Sequence, residues 1–157
     1  GRAAWNYNRG RFSTVIMTNM YPVLFWTSKI NDMRKICINN RDEMVILFVD
    51  NIAYIMADGN YTKICYIGGM TTVLSFGLSK IEEMVSATYA EGTVSPFVRL
   101  GRSVIINQLF LYDINILKQH LVLSDCMKNT ITLKLPKLLL KKYKDLVSHS
   151  TIKKNKI

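Results

Sequence analysis

The sequence predicts a mainly all-β fold, an elongated set of small antiparallel sheets with one short internal helix and one C-terminal helix. Between positions 44 and 76, four short apolar runs are rich in β-branched and aromatic residues, and Asp, Asn and Gly separate them. That pattern is typical of short antiparallel strands joined by tight turns. The apolar spacing becomes helical over 78–87 and again after Pro136, which indicates one helix in each place.

Four strands are expected in the first half of the chain. Asp58 and Gly59 stand between the second apolar run and the third, and Gly68 and Gly69 stand between the third and the fourth. Glycine adopts a positive φ without the strain that a Cβ causes, and aspartate is frequent in turns, so both pairs favour hairpins. The expected strands cover residues 44–49, 52–57, 61–67 and 71–76.

The internal helix is expected over 78–87, where apolar residues recur at helical spacing around Glu82 and Glu83. Ser79 is expected to cap this helix, and Glu82 three positions later would complete a capping box. Residues 88–96 are expected to form a loop.

The second half is expected to return to extended structure before the final helix. Its expected extended segments are 97–107, 109–117, 120–123 and 130–135, of which the last two form a hairpin around 125–129. Pro136 suits the first turn of the final helix, because proline needs no partner for a backbone N–H there. The buried stripe expected on this helix consists of Leu139, Tyr143, Leu146 and Val147.

The charge of the chain is positive and unevenly distributed. Its 157 residues include 21 Lys and Arg against 11 Asp and Glu, a net charge of +10. Residues 98–157 hold twelve of the basic residues and three of the acidic ones, whereas residues 33–97 hold five and seven. A basic surface attracts polyanions. A nucleic acid is therefore the partner that the second half favours, with a solvated lysine face as the alternative.

Signatures of catalysis, metal binding and cofactor binding do not occur in the sequence. It contains no G-x-S-x-G, no H-E-x-x-H and no Gly-rich phosphate loop. Cys37, Cys65 and Cys126 are far apart, and His120 and His149 lie near no cysteine pair, so zinc is not expected. We expect no enzyme, no cofactor and no small-molecule substrate. The cysteines are expected to be free thiols in a reducing, cytoplasmic compartment.

The first 32 residues are aromatic-rich and contain a single acidic residue. Three interpretations stay open for them. They form a leader in which Arg2, Arg9 and Arg11 precede an apolar run, or a membrane anchor over 12–27, or they precede a natural start at Met33. The expected organisation is an N-terminal extension over 1–37, one domain over 38–147 and a basic tail over 148–157.

Two stretches of the chain resemble the LytTR family of DNA-binding domains. The family's pattern I-x-Y-I-x-A-x-G-x-Y-T is matched over 52–62, and its pattern F-x-R-x-H-R-S-x-x-V-N is matched over 97–107. The matching residues are Ile52, Tyr54, Ile55, Ala57, Gly59, Tyr61, Thr62, Phe97, Arg99, Arg102, Ser103 and Asn107. A short leucine-containing helix lies between the two stretches, and a hairpin and a basic helix follow them. The resemblance therefore covers about residues 38–147 in the family's order.

This resemblance implies sequence-specific binding of duplex DNA for transcription regulation. In the family, loops rather than a recognition helix enter adjacent major grooves. The contact positions that the resemblance implies are Asn60 and Tyr61 in a first loop, Arg102 and Ser103 in a second, and Pro136, Lys137 and Leu138 in a third. Lys63 and Lys141 are further candidate DNA contacts. Arg102 suits the edge of a guanine, whereas Lys137 and Lys141 suit phosphates. Further partners that it implies are a second copy of the chain on repeated DNA sites and a sensor or receiver protein.

The chain departs from the family pattern at two places. Gly101 stands where the family often has histidine, and Pro136 with Lys137 stands where it often has Ser-Arg. Lys137 keeps the positive charge but loses the bidentate geometry of arginine. The sequence preference is therefore expected to differ, or the specificity to be lower.

Structural interpretations stay open beside the DNA-binding ones. Tyr61 suits a strand position as well as a DNA contact. Arg99 is expected to pair with an acid or to cover the core, and Asn107 is expected to hold a turn through its backbone bonds. The lysines of the last helix, Lys141, Lys142 and Lys144, also suit a solvated face.

Two alternative functions also stay open, a membrane-tethered regulator and an RNA-binding β-protein. RNA-binding sheets present aromatic side chains on one strand face for base stacking. Tyr61 and Tyr66 fall on opposite faces by parity, so the sequence favours duplex DNA over RNA.

Overall fold

The structure, a computed structural model, describes residues 33–149 and Asn155. Within them, ten strands form three antiparallel sheets, and two α-helices accompany the sheets. Strands β1 to β5 span Lys35–Asn39, Met44–Phe48, Ile52–Asp58, Tyr61–Tyr66 and Thr71–Leu74. Strands β6 to β10 span Phe97–Leu100, Val104–Asn107, Leu111–Asn115, His120–Ser124 and Thr130–Lys134. Helices α1 and α2 span Leu78–Ser86 and Lys137–Ser148. The prediction of a mainly β fold with one internal and one C-terminal helix is confirmed.

The largest sheet has five strands in the order β5-β4-β3-β7-β6. The other sheets consist of β1 with β2 and of β10, β9 and β8 in that order. In the hairpin of β3 and β4, Asp58 pairs with Tyr61, and Gly59 has a φ of +63°. Glycine adopts this left-handed conformation without strain. The expected turn at this position is therefore confirmed.

Both faces of the five-stranded sheet are buried. On one face, Ile105 packs with residues of β1, β2 and α1, among them Ile36 and Ile81. On the other face, Ile106 packs with residues of the three-stranded sheet and α2, among them Leu121. Consecutive strand residues point to opposite faces, yet Ile105 and Ile106 are 1% and 0% exposed. This explains why β7 has an unbroken apolar sequence instead of an alternating one.

Helix α2 is held to the second core by Tyr143. This side chain is 2% exposed, and its hydroxyl donates to Oε1 of Gln108 at 3.0 Å. Burial raises the pKa of Tyr143 to about 12, so the hydroxyl remains a donor at all ordinary pH values. Leu140, three positions earlier, is fully buried. The pair thus forms the line of α2 that faces the sheet.

The buried stripe expected on α2 is partly wrong. Leu139 and Val147 do pack against the core, but Leu146 is 66% exposed, and the buried Leu140 is not among the expected residues. Pro136 also lies one position before the helix, where its carbonyl accepts from the N–H of Leu140 at 3.1 Å. The helix is rotated so that Leu140 and Tyr143 face the sheet, which the alternation of Leu and Lys does not specify.

The single extended segment expected over 97–107 is wrong, because β6 and β7 form a hairpin there. Phe97 is opposite Asn107, Leu100 is opposite Val104, and Gly101 has a φ of +67° in the turn. Both strands contribute residues to the cores, so apolar residues stand close to the turn on both sides. The sequence pattern therefore does not distinguish the hairpin from one continuous strand. The following segment also differs, because a 3-10 turn over Gln108–Phe110 precedes β8.

Two further expectations near the start of the described residues need correction. Helix α1 has Gly77 at its N-cap without a side-chain cap, so Ser79 is not the cap. Strand β1 is not among the expected strands, although its Ile36 is fully buried. The hairpin of β9 and β10, by contrast, agrees with the expected bounds to within one residue.

Asn107 generates a prediction about stability, because it is fully buried and bonds two backbone groups. Its Nδ2 donates to the carbonyl of Ile52 at 3.0 Å, and its Oδ1 accepts from the N–H of Leu109 at 3.1 Å. Asn107→Ala leaves both groups without these partners. A buried group left unsatisfied costs about 1–3 kcal/mol, so we expect the free energy of unfolding in urea to fall by about 2–3 kcal/mol.

Asn115→Ala is the matched control. The Oδ1 of Asn115 also accepts from a backbone N–H, that of Lys118 at 2.9 Å, but in an exposed turn. Water replaces this partner, so we expect a loss below about 1 kcal/mol. Equal losses in the two variants would show that the buried bonds of Asn107 do not stabilise the fold.

Candidate nucleic-acid interface

The β3–β4 turn, residues 58–61, and the β6–β7 turn, residues 101–103, lie side by side at one end of the five-stranded sheet. Their strands are neighbours, since Met56 of β3 pairs with Val104 of β7. Past the last paired residues, the N–H of Ala57 donates to the carbonyl of Ser103 at 2.8 Å. The turns that carry Asn60, Tyr61, Arg102 and Ser103 are therefore adjacent.

The start of α2, residues 136–138, lies against the β6–β7 turn. A Cβ placed on Gly101 would lie 3.5 and 3.6 Å from the two terminal methyl carbons of Leu139. Between the turn and the helix is a depression of about 350 Å³. Arg102, Leu138 and Lys142 are among the residues that line it. All three segments that the resemblance implied as DNA contacts thus meet at one end of the fold.

The candidate contact residues differ in exposure. Those that are exposed to solvent are Asn60, Tyr61, Arg102, Ser103, Lys137 and Lys141. Lys63 is half-buried in β4 and pairs with Met56. Residues directly opposite each other in an antiparallel pair have side chains on the same face. Lys63 therefore lies on the face that carries Met56 and α2.

The charge at this end of the fold is mainly positive and is not neutralised within the protein. In the described part of the chain, the side chains of Arg102, Lys137 and Lys141 form no ion pair. One carboxylate, that of exposed Asp58, lies at the β3–β4 turn. Cations without internal partners are available to phosphates and base edges.

Arg99 of β6 has a different role from Arg102. Its Nη1 donates to Oγ of Ser79 at 3.0 Å and to Oε1 of Glu82 at 3.1 Å, both on α1. Its Nη2 donates to the carbonyl of Arg102 at 3.2 Å. The expectation that Arg99 pairs with an acid is confirmed. Arg99 holds the backbone of the β6–β7 turn to α1 and leaves the Arg102 side chain free.

A comparison with solved structures identifies this arrangement of sheets. The LytTr DNA-binding domain of a putative methyl-accepting/DNA response regulator from Bacillus cereus superimposes with a TM-score of 0.50 at 17% identity. The match covers 72% of this chain and 95% of that one. The chain has a LytTR-type fold. No protein-family model matches the chain, and no curated protein does.

The LytTR-type fold explains one departure of the sequence from the family pattern. Gly101 occupies the position where the pattern often has histidine, and its φ is +67°. A side chain in this conformation is strained. The methyl groups of Leu139 also lie within ordinary contact distance of the space that a Cβ would occupy. The glycine thus avoids backbone strain in the turn, whereas a Cβ in its place would only be in ordinary contact with Leu139.

Leu138 belongs to the third contact segment that the resemblance implies, whereas Lys142, at the same end of the LytTR-type fold, is not among the residues singled out as DNA contacts. Leu138 and Lys142 line the depression beside Arg102. Their four-residue spacing places both on one side of α2. The sequence shows this spacing, but the spacing indicates no function until the β6–β7 turn is known to lie beside α2.

Some expectations concern residues outside the described ranges. The anchor expected over 12–27 lies there, and so does most of the basic tail expected over 148–157. Within the described ranges, neither helix is long and apolar enough to cross a bilayer.

The ion pair of Arg99 and Glu82 generates a second prediction. The two side chains are 28% and 40% exposed, so water screens part of their attraction. A double-mutant cycle with Arg99→Ala and Glu82→Ala should give a coupling free energy of about 0.5–1 kcal/mol in urea unfolding.

The same cycle on Arg41 and Asp42 is the control. That pair is 91% and 78% exposed, and we expect no measurable coupling between its members. If the Arg99 cycle gave no more coupling than this control, Arg99 would not tie the β6–β7 turn to α1.

Proposed function

We propose that this chain binds duplex DNA sequence-specifically and acts in transcription regulation. The observation that carries the proposal is the meeting of the β3–β4 turn, the β6–β7 turn and the start of α2 at one end of a LytTR-type fold. The structure of similar fold belongs to a DNA-binding domain. The second half of the chain, which supplies two of the three segments, also carries most of the net positive charge.

In the proposed complex, the two turns and the start of α2 enter adjacent major grooves. Arg102 donates two parallel hydrogen bonds to O6 and N7 of a guanine, an arrangement of acceptors that only guanine offers. Ser103 and Asn60 reach neighbouring base edges or the sugar-phosphate backbone. Tyr61 contacts the backbone beside them.

The lysines of this surface hold the phosphates. Lys137 and Lys141 are one helical turn apart on α2, so they follow one strand of the duplex. Lys63 adds a cation from the sheet. Helix α2 also begins here without a side-chain cap, so the free N–H groups of its first turn suit a phosphate.

The exposure of aromatic residues favours duplex DNA over single-stranded RNA. Tyr61 is 54% exposed, but Tyr66 on the same strand is 7% exposed and packs in the first core. Strand β4 therefore lacks the pair of exposed aromatic side chains on which a sheet stacks successive bases.

The proposal includes the partners that the family resemblance implies. A homodimer on repeated sites would place two such surfaces on one face of the duplex. A sensor or receiver protein would supply the signal, as the domain of similar fold belongs to a putative response regulator.

The proposed phosphate contacts predict a strong salt dependence. Four to six phosphate contacts release their counterions on binding, which gives a slope of log K against log salt of about −4 to −5. The measurement is fluorescence anisotropy of a labelled duplex between low and physiological salt. A slope near zero would rule out a mode of binding based on phosphates.

The proposed division of labour predicts different effects for Arg102→Ala and Lys137→Ala. Arg102→Ala should weaken binding to the best site by about 1–3 kcal/mol and relax the preference at one base pair. Lys137→Ala should weaken all duplexes similarly, because a phosphate contact carries no sequence information. The measurement is the ratio of affinities for a selected duplex and a random one.

Two variants of equal charge change serve as controls. Arg41→Ala removes an exposed arginine from the β1–β2 turn. Lys128→Ala removes an exposed lysine from the turn between β9 and β10. This turn lies at the end of the hairpin that is remote from Pro136. Both should leave the affinity ratio unchanged. A drop in melting temperature for Arg102→Ala, with equal loss on specific and random duplexes, would assign Arg102 a structural role instead.

A further inference from the structure

An exposed leucine stands among the cations of the proposed interface. Leu138 is 67% exposed, and it lines the same depression of about 350 Å³ as Arg102 and Lys142. The remaining lining is largely aliphatic and includes Leu100 and Leu139. The surface here is thus an apolar patch bordered by two positive side chains.

A single exposed leucine needs no explanation by itself, but its position here limits what it can contact. The flanking cations draw a polyanion onto the depression, and the polyanion then removes water from Leu138. A hydrogen-bonding group placed against a leucine loses its water without gaining a partner, which is unfavourable. The group that meets Leu138 must therefore be apolar and lie close to negative charge.

The major groove of DNA offers one such group. The base edges exposed there carry hydrogen-bond donors and acceptors, with one apolar exception, the 5-methyl group of thymine. Guanine and adenine present N7 with O6 or N6, and cytosine presents N4 with only a C5–H beside it, so none of them offers Leu138 a methyl group. An apolar side chain between Arg102 and Lys142 therefore favours a thymine.

We infer that Leu138 is a specificity-determining residue that packs on the 5-methyl group of a thymine, beside the base that Arg102 contacts. This inference rests on the proposed binding of duplex DNA and names what a part of that surface recognises. Arg102 and Leu138 then act as a pair. One reads hydrogen-bond acceptors, and the other reads a methyl group, across the same depression.

The test uses the full chain and the tightest duplex recovered from a random pool. Each thymine of that duplex is replaced in turn by deoxyuridine, which removes only the methyl group. For each bound copy of the protein, one thymine position should be sensitive to the replacement. At that position, wild-type protein should bind about fourfold more weakly, the factor for one buried methyl-sized group at about 0.8 kcal/mol. Leu138→Ala should weaken binding to the thymine duplex at least as much.

The decisive result is the combination of the two changes. Leu138→Ala protein should bind the thymine duplex and the deoxyuridine duplex with equal affinity, because the side chain that contacts the methyl group is gone. Leu138→Gln should no longer prefer thymine at that position in a fresh selection. If thymine and deoxyuridine bind wild-type protein equally at every position, or if the fourfold effect persists in Leu138→Ala, the inference is wrong.

Leu146→Ala is the matched control. Leu146 lies on the same helix, is 66% exposed, and lines a different depression with Leu109 and Val98. Eight residues separate it from Leu138, about 12 Å along the helix. Its variant should keep the full response to deoxyuridine.

The outcomes separate this inference from the function on which it rests. If wild-type protein binds no duplex, the proposed function fails, and the thymine contact fails with it. If wild-type binds duplex with the expected salt slope but ignores deoxyuridine, only the thymine contact fails. A loss in Leu138→Ala that occurs solely on repeated sites would assign Leu138 to a contact between two copies, which also overturns the inference.

Discussion

Strand β3 pairs with β7 through Tyr54, Ile55 and Met56, and this pairing joins the first meander to the second half of the chain. It is bordered at both ends by further bonds. Beyond one end, Nδ2 of Asn107 donates to the carbonyl of Ile52. Beyond the other end, the N–H of Ala57 donates to the carbonyl of Ser103 in the β6–β7 turn. The proposed interface depends on it, because the two turns are neighbours only in this register.

The register is fixed by burial on both faces together with the buried amide of Asn107. A shift of one residue would exchange the faces of Ile105 and Ile106, and each packs in a different core. Every residue of β7 is buried, and a shifted pairing would move the buried amide of Asn107 away from the carbonyl of Ile52, to which it donates. The apolar packing of the sheet thus determines where the exposed cations at its end are placed.

Most of the fold follows from local signals in the sequence, since β3, β4 and the β9–β10 hairpin show turn residues between apolar runs. The turn at Gly101 does not, because the strands around it are short and apolar up to its edges. The exposure of Leu146 and the burial of Leu140 depend on the rotation of α2 against the sheet, which the helical period leaves open.

The candidate site was less predictable than the fold, and for a different reason. Its contact residues followed from a resemblance between patterns, whereas their proximity depends on strand order, which no local pattern encodes. Lys142 and Leu138 show the limit most clearly. On the helix alone they are a leucine and a lysine one turn apart. They line one depression with Arg102 only because β6 and β7 form a hairpin that places the turn beside α2.

Arg99 and Arg102 show how the surroundings divide similar side chains between structure and function. Three positions apart in one hairpin, they have the same charge and length. Arg99 forms an ion pair with Glu82 on α1 and makes three internal hydrogen bonds, whereas Arg102 lies past Gly101 in the turn and forms no ion pair within the described residues. Gly101 is what separates them. Its positive φ ends β6 and turns the chain toward α2, at the position where the family pattern often has histidine. The side chains that this turn exposes are therefore those of Arg102 and Ser103, beside the first turn of α2, and they are the ones that the proposed interface offers to base edges.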